Sequence, residues 1–101
     1  MSNQARVARF IEHHDLATEP TYRLLDLVAE VGELSKDALT SSSYGQHPER
    51  LTMTEDELGD VLFATLALAE GLGIDAEEAL DVALDKYEQR LDAGNTPASG
   101  R

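Results

Sequence analysis

A chain of 101 residues with 20 Asp and Glu against 8 Lys and Arg, net charge −12, is one modest domain whose acidity repels nucleic-acid backbones and anionic membranes. It has no cysteine, which excludes disulfides and thiolate metal sites, and no apolar run of membrane-spanning length. With no secretory pattern at its start, it is expected to be soluble and cytoplasmic. A salt-adapted cytoplasm would favour such acidity, and so would a cation-binding protein.

No segment alternates apolar and polar residues at period two, so strands are not expected. A short first helix is predicted from Asn3 to about His14, with Val7, Phe10 and Ile11 on one face. Thr18-Glu19-Pro20 predicts a fresh helix start, with Thr18 as N-cap and Pro20 in the first turn. This second helix should reach about Leu39, burying Leu24, Leu27, Val28, Val31, Leu34 and Ala38 at three- and four-residue intervals. The Ser-rich stretch from Thr40 to Pro48 predicts a loop.

A third helix should start near Thr52 or Thr54 and stop near Gly71 or Gly73. Its stretch Val61 to Ala69 is apolar almost all round, which predicts a central position and a dimer to complete its cover. Gly73 and then Asp75-Ala76-Glu77-Glu78 form a stop and a capped restart. The fourth helix should run to about Ala93, burying Leu80, Ala83, Leu84, Tyr87 and Leu91. Residues 1–94 are thus expected to form a single helical domain, and 95–101 a flexible tail.

Two acidic pairs stand out. Glu30-Val31-Gly32-Glu33 lies on the second helix and Glu57-Leu58-Gly59-Asp60 on the third, each an acid, two residues and an acid. At this spacing both members of a pair sit on neighbouring positions of one helix face. Glu57 and Asp60 share their stripe with Ala64 and Ala67, whose small side chains leave room beside the acids. Carboxylates converging between packed helices repel one another, and a hard divalent cation such as Mg²⁺ relieves the repulsion. The di-iron pattern of Glu-x-x-His is missing, as is any zinc-type ligand set. A purely structural reading stands beside this one. Thr54-Glu55-Asp56-Glu57 fits a capping box, and Glu30 and Glu33 fit a solvated acidic surface. Asp26 and Asp37 extend the acidic stripe.

Lys86 and Arg90 are one helical turn apart with no acid three or four residues away. Either they complement the helix C-terminal dipole, or they await an anion such as a triphosphate.

These segments resemble the MazG-like all-α nucleotide pyrophosphohydrolases. The likeness rests on EVGEL from Glu30, DELGDVLF from Asp56, Leu72-Gly73-Ile74-Asp75, and the ending Lys86-Tyr87-Glu88-Gln89-Arg90, with 23 residues between Glu33 and Glu57. The resemblance implies an all-α bundle of about four helices, completed by dimerisation. It also implies Mg²⁺-dependent hydrolysis (Mn²⁺ as substitute) of a nucleoside triphosphate to monophosphate and pyrophosphate. Glu30, Glu33, Glu57 and Asp60 would ligate metal, Lys86 and Arg90 would contact phosphates, and Glu33 would act as general base. A module of the same fold that senses nucleotides or dimerises without turnover is the alternative.

Overall fold

The structure, a computed structural model, describes residues 1–98. It is built from four α-helices: α1 (Asn3–His13), α2 (Pro20–Ser41), α3 (Glu55–Leu72) and α4 (Ala76–Asp92), with one 3₁₀ turn, Pro48–Arg50, before α3. No strand occurs among the described residues, so the all-α expectation holds. No described helix is long and apolar enough to cross a membrane. The last residues of the expected tail, 99–101, lie outside the described residues.

The helix ends follow local chemistry. Ser2 caps α1, its hydroxyl accepting from the Ala5 N–H at 3.0 Å. Thr54 caps α3, accepting from the Glu57 N–H at 3.2 Å. Asp75 caps α4, with Oδ1 accepting from Glu77 N–H at 2.9 Å and Glu78 N–H at 3.3 Å. Each occupies an end whose first N–H groups have no partner inside the helix. Gly73 ends α3 in the left-handed conformation, φ +68°, and the Ile74 N–H reaches back to Ala69 O at 3.0 Å.

The start of α2 differs from expectation. Glu19, not Thr18, is the N-cap residue, with no side-chain cap. Pro20 at the first helical position removes one of the N–H groups a cap would satisfy. The helix also runs past Leu39 to Ser41. There the buried Ser42 hydroxyl donates to Ala38 O and accepts from the Gly45 N–H at 2.9 Å. Ser43, Tyr44 and Gly45 all take positive φ, folding the chain sharply back.

Helices α2 and α3 form the main packed pair, and α1 lies against α3. The pair is antiparallel: a Cβ on Gly71, near the end of α3, would lie 3.5 Å from Pro20 at the start of α2. At the other end, the Thr52 N–H donates to Ser41 Oγ at 3.1 Å. The predicted central place of α3 is thus observed. Its only fully buried residues are Ala64 and Ala67, where the small side chains let the backbones approach. Beside this face, Phe63 meets Phe10 of α1 edge to face, with centroids 5.9 Å apart.

Helix α4 corrects the sequence reading most. It packs on no other helix of its own chain to a comparable extent. Leu80 and Leu91 are each 56% exposed, and Leu84 51%. The apolar stripe expected to be buried is present but uncovered. The α2 stripe is likewise only partly buried, with Leu24, Val28 and Val31 exposed. The projecting α4 gives a radius of gyration of 16.5 Å, against about 13 Å for a compact chain of this length.

Candidate metal and nucleotide site

The two acidic motifs lie on the packed pair. On α3, Glu57, Asp60, Ala64 and Ala67 share one side of the helix. Because the buried Ala64 and Ala67 mark the face sunk in the protein, the two acids lie along it toward the helix start. On α2, Asp26, Glu30, Glu33 and Asp37 follow one another at four, three and four residues, a single stripe. The antiparallel pairing sets the Asp26–Glu30 end of this stripe beside Asp60, and the Asp37 end beside Glu57.

Glu30 registers the convergence. Partial burial pushes its carboxyl above the ordinary value of 4.5, and Asp60, Asp26, Glu33 and Asp56 push it further. Four acids from two helices thus act on the Glu30 carboxyl: the sequence-predicted ligands Asp60 and Glu33, Asp26 of the acidic stripe, and Asp56. Asp56 is the member that sequence reasoning missed, having been assigned only to the helix start. The available signal was its position one turn before Asp60, on the same side of α3.

Glu57 is held differently. Its Oε1 pairs with the Thr54 hydroxyl at 3.2 Å, so the capping arrangement is realised through Thr54. Its Oε2 is buried with no hydrogen-bond partner. Leaving a buried polar atom unsatisfied costs roughly 1–3 kcal/mol. Capping therefore accounts for one oxygen and leaves the other unexplained. Around it lies a groove of about 320 Å³, lined by Asp37, Thr40, Ser41, Thr52, Met53 and Thr54.

The donor set, carboxylate and hydroxyl oxygens with no thiolate or imidazole, suits a hard divalent cation, and the orphaned Glu57 Oε2 fits a ligand to one. As the side chains stand, no three His, Asp or Glu groups among the described residues are close enough to share an ion. The backbone brings the acids to one place; the rotamers leave them apart, as mutual repulsion favours.

Lys86 and Arg90 are not brought to this site within the chain, since α4 projects away from α2 and α3. Neither forms an ion pair with an acid among the described residues. Arg90 donates instead to the carbonyl of Pro97, and both cations approach the Tyr87 ring, Lys86 Nζ at 5.4 Å from its centroid and the Arg90 guanidinium carbon at 6.0 Å. At the end of α1, His14 packs against Phe10 and meets His13 edge to face. His47 pairs with Glu49 at 3.3 Å in the loop.

Comparison with known proteins agrees with this architecture. The chain is 35% identical to the uncharacterised protein YpjD of Bacillus subtilis over 92 residues, covering 86% of this chain and 81% of that protein. The crystal structure of YpjD superposes with a TM-score of 0.67, covering 86% of this chain and 90% of that one. A segment of 37 residues is 56% identical to the nucleoside triphosphate pyrophosphohydrolase of Escherichia coli strain K12, spanning 37% of this chain but 14% of that enzyme. Residues 7–94 match the MazG nucleotide pyrophosphohydrolase domain, and the chain belongs to that family.

Proposed function

We propose that the chain hydrolyses a nucleoside or deoxynucleoside triphosphate to the monophosphate and pyrophosphate, requires Mg²⁺ (Mn²⁺ substituting), and works as a homodimer on the cytoplasmic nucleotide pool. The observation that carries this reading is the buried, unpartnered Oε2 of Glu57 beside an acidic stripe. An oxygen of this kind suits a hard cation, and membership of a nucleotide pyrophosphohydrolase family supports the reaction such a cation would serve.

In this reading Glu30, Glu33, Glu57 and Asp60 hold the metal, which when bound neutralises phosphate oxygens and makes nearby water more acidic. The chain's own groups do the rest. Glu33 is exposed on the rim of the stripe and accepts a proton from the attacking water. The water oxygen bonds to the α-phosphorus, the bond from that phosphorus to the bridging oxygen breaks, and pyrophosphate departs. Lys86 and Arg90 place positive charge against the pyrophosphate as its negative charge grows. Helix α4 must meet a carboxylate site to do this, and its uncovered Leu80, Leu84 and Leu91 supply an apolar face for assembly with a second copy.

The test is pyrophosphate release from a panel of ribo- and deoxyribonucleoside triphosphates with Mg²⁺, with Mn²⁺ and with chelator, at low and molar KCl. Turnover with metal and none with chelator is expected. Turnover that persists in chelator refutes the metal reading. Tight nucleotide binding without turnover on any substrate would make the chain a nucleotide sensor of the same fold.

A further inference from the structure

Gln4, near the start of α1, touches neither acidic motif, yet it makes three contacts across some seventy residues of sequence. Its Nε2 donates to Ile74 O at 2.8 Å and, more weakly, to Glu70 Oε2 at 3.4 Å. Its Oε1 accepts from the Ala76 N–H at 2.7 Å. Both ends of one amide are therefore used on the turn that joins α3 to α4. Ala76 is the first residue of α4, and Asp75 already accepts from the next two N–H groups. Gln4 satisfies the Ala76 N–H, which this cap leaves free. Helix α1 is itself fixed to α3 by the Phe10–Phe63 contact, so Gln4 braces the turn from a third helix.

This brace matters because α4 has almost nothing else of its own chain to lean on. Its direction is set at the turn and carried outward as by a lever. At 1.5 Å per residue, Lys86 lies about 15 Å from Ala76 and Arg90 about 21 Å. A 10° change of angle at the turn moves them by roughly 2.6 and 3.7 Å. Misplacing a charge-stabilising group by about 1 Å is enough to cost as much as a hundredfold in rate.

We infer that Gln4 is a positioning residue: by clamping Ile74 and Ala76 it fixes the angle at which α4 leaves α3, and so the place where Lys86 and Arg90 meet the phosphates. The inference rests on the proposed triphosphate chemistry for its catalytic consequence, but the clamp has a consequence of its own in the geometry of α4.

Two measurements test it. In steady-state kinetics, Gln4→Ala should lower kcat/KM for the triphosphate about tenfold or more, with kcat carrying the larger share, because Lys86 and Arg90 act on charge that grows in the transition state. In a Lys86→Ala/Arg90→Ala background the same substitution should change kcat/KM less than twofold, because the groups it positions are gone. An equal loss in both backgrounds, or no loss in the wild-type background, overturns the inference. Gln4→Glu keeps the acceptor for Ala76 but sets a carboxylate oxygen against Ile74 O and Glu70 Oε2, so a loss at least as large as that of Gln4→Ala is expected, and this variant replaces it if the alanine variant does not fold.

The second measurement needs no turnover. The chain has no cysteine, so spin labels go cleanly onto the exposed positions of Glu12→Cys in α1 and Asp85→Cys in α4, diluted with unlabelled protein to read distances within one chain. A narrow distribution in the otherwise wild-type chain that broadens with Gln4→Ala is expected. A distribution already broad with Gln4 in place, or one unchanged by its loss, overturns the clamp. If the wild type hydrolyses no nucleotide, the proposed function fails while the label distances still decide the clamp.

Discussion

The α2–α3 pair and α4 carry the same kind of sequence signal, an apolar stripe at helical spacing with charged groups along its edge. They end in different conditions. In the pair, Ala64 and Ala67 are buried to 1% and 2% exposure, and the acids of both helices act on Glu30. In α4 the stripe stands in solvent and the cations find no acid. An amphipathic stripe states that a helix has a buried side; it does not name the surface that buries it. Helix α3 finds that surface within the chain, α2 finds it in part, and α4 does not. Lys86 and Arg90 are opposite in charge to the acids of the pair, and in the proposed function they meet, since an acidic site needs cations before it can hold a polyanion.

The comparison breaks first, and with the largest effect, at Glu57. Glu57→Gln should lower pyrophosphate release by roughly a thousandfold, the scale expected when electrostatic stabilisation and a metal ligand are both lost. The melting temperature should not fall, since the amide keeps the contact with Thr54 and relieves a buried carboxylate oxygen that has no partner. Activity that survives would return Glu57 to a capping role and leave the acidic pair a structural feature.

On the α4 side, Leu84→Asp puts a charge in the centre of the uncovered stripe. Its dissociation constant for self-association, measured by sedimentation, should rise at least tenfold, an interfacial penalty of about 1.4 kcal/mol or more. An unchanged dissociation constant would show that assembly does not use this face. Because Leu84 is about half exposed, the fold of the single chain should tolerate the change.

Thr54→Ala separates capping from catalysis at the same helix end. Losing the hydroxyl that accepts from the Glu57 N–H should cost about 1 kcal/mol of stability in denaturant unfolding, with activity reduced much less than by Glu57→Gln. A thousandfold loss of activity here would mean that the hydroxyl belongs to the chemistry.

The smallest effect concerns pH. The Glu30 carboxyl is raised in the folded chain, so the folded state binds more protons than the unfolded one between 4.5 and the raised value. Without metal, stability should therefore be greatest below that window and decline as pH rises through it. Glu30→Gln should flatten the decline in thermal melts at pH 4 to 7, while added Mg²⁺ should reverse it in the wild type alone. A wild-type melting temperature that instead rises through this window would contradict the crowding of Glu30 by Asp60, Asp26, Glu33 and Asp56.

Much of the fold was legible from particular residues. Thr54, Gly73 and Asp75 marked helix boundaries that the structure keeps, because a cap is a short-range bargain between one side chain and nearby N–H groups. The start of α2 misled, since Thr18 has cap chemistry while Pro20 lessens the need for a cap. The candidate site was legible as two acid pairs with alanines beside them. Asp56 was not, because its effect on Glu30 arises only when two helices lie side by side. Nor was Gln4, whose partners are about seventy residues away and leave no local pattern.

The sequence by itself determined four helices, most of their ends, the two acidic motifs and the family they mark, since all of these depend on residues within a few positions of one another. Only the tertiary structure decided that α2 and α3 close on each other while α4 does not, that one oxygen of Glu57 is capped and the other stranded, and that α1 braces the turn leading to Lys86 and Arg90. Helical periodicity is a property of one segment. Which surface meets which depends on the whole chain.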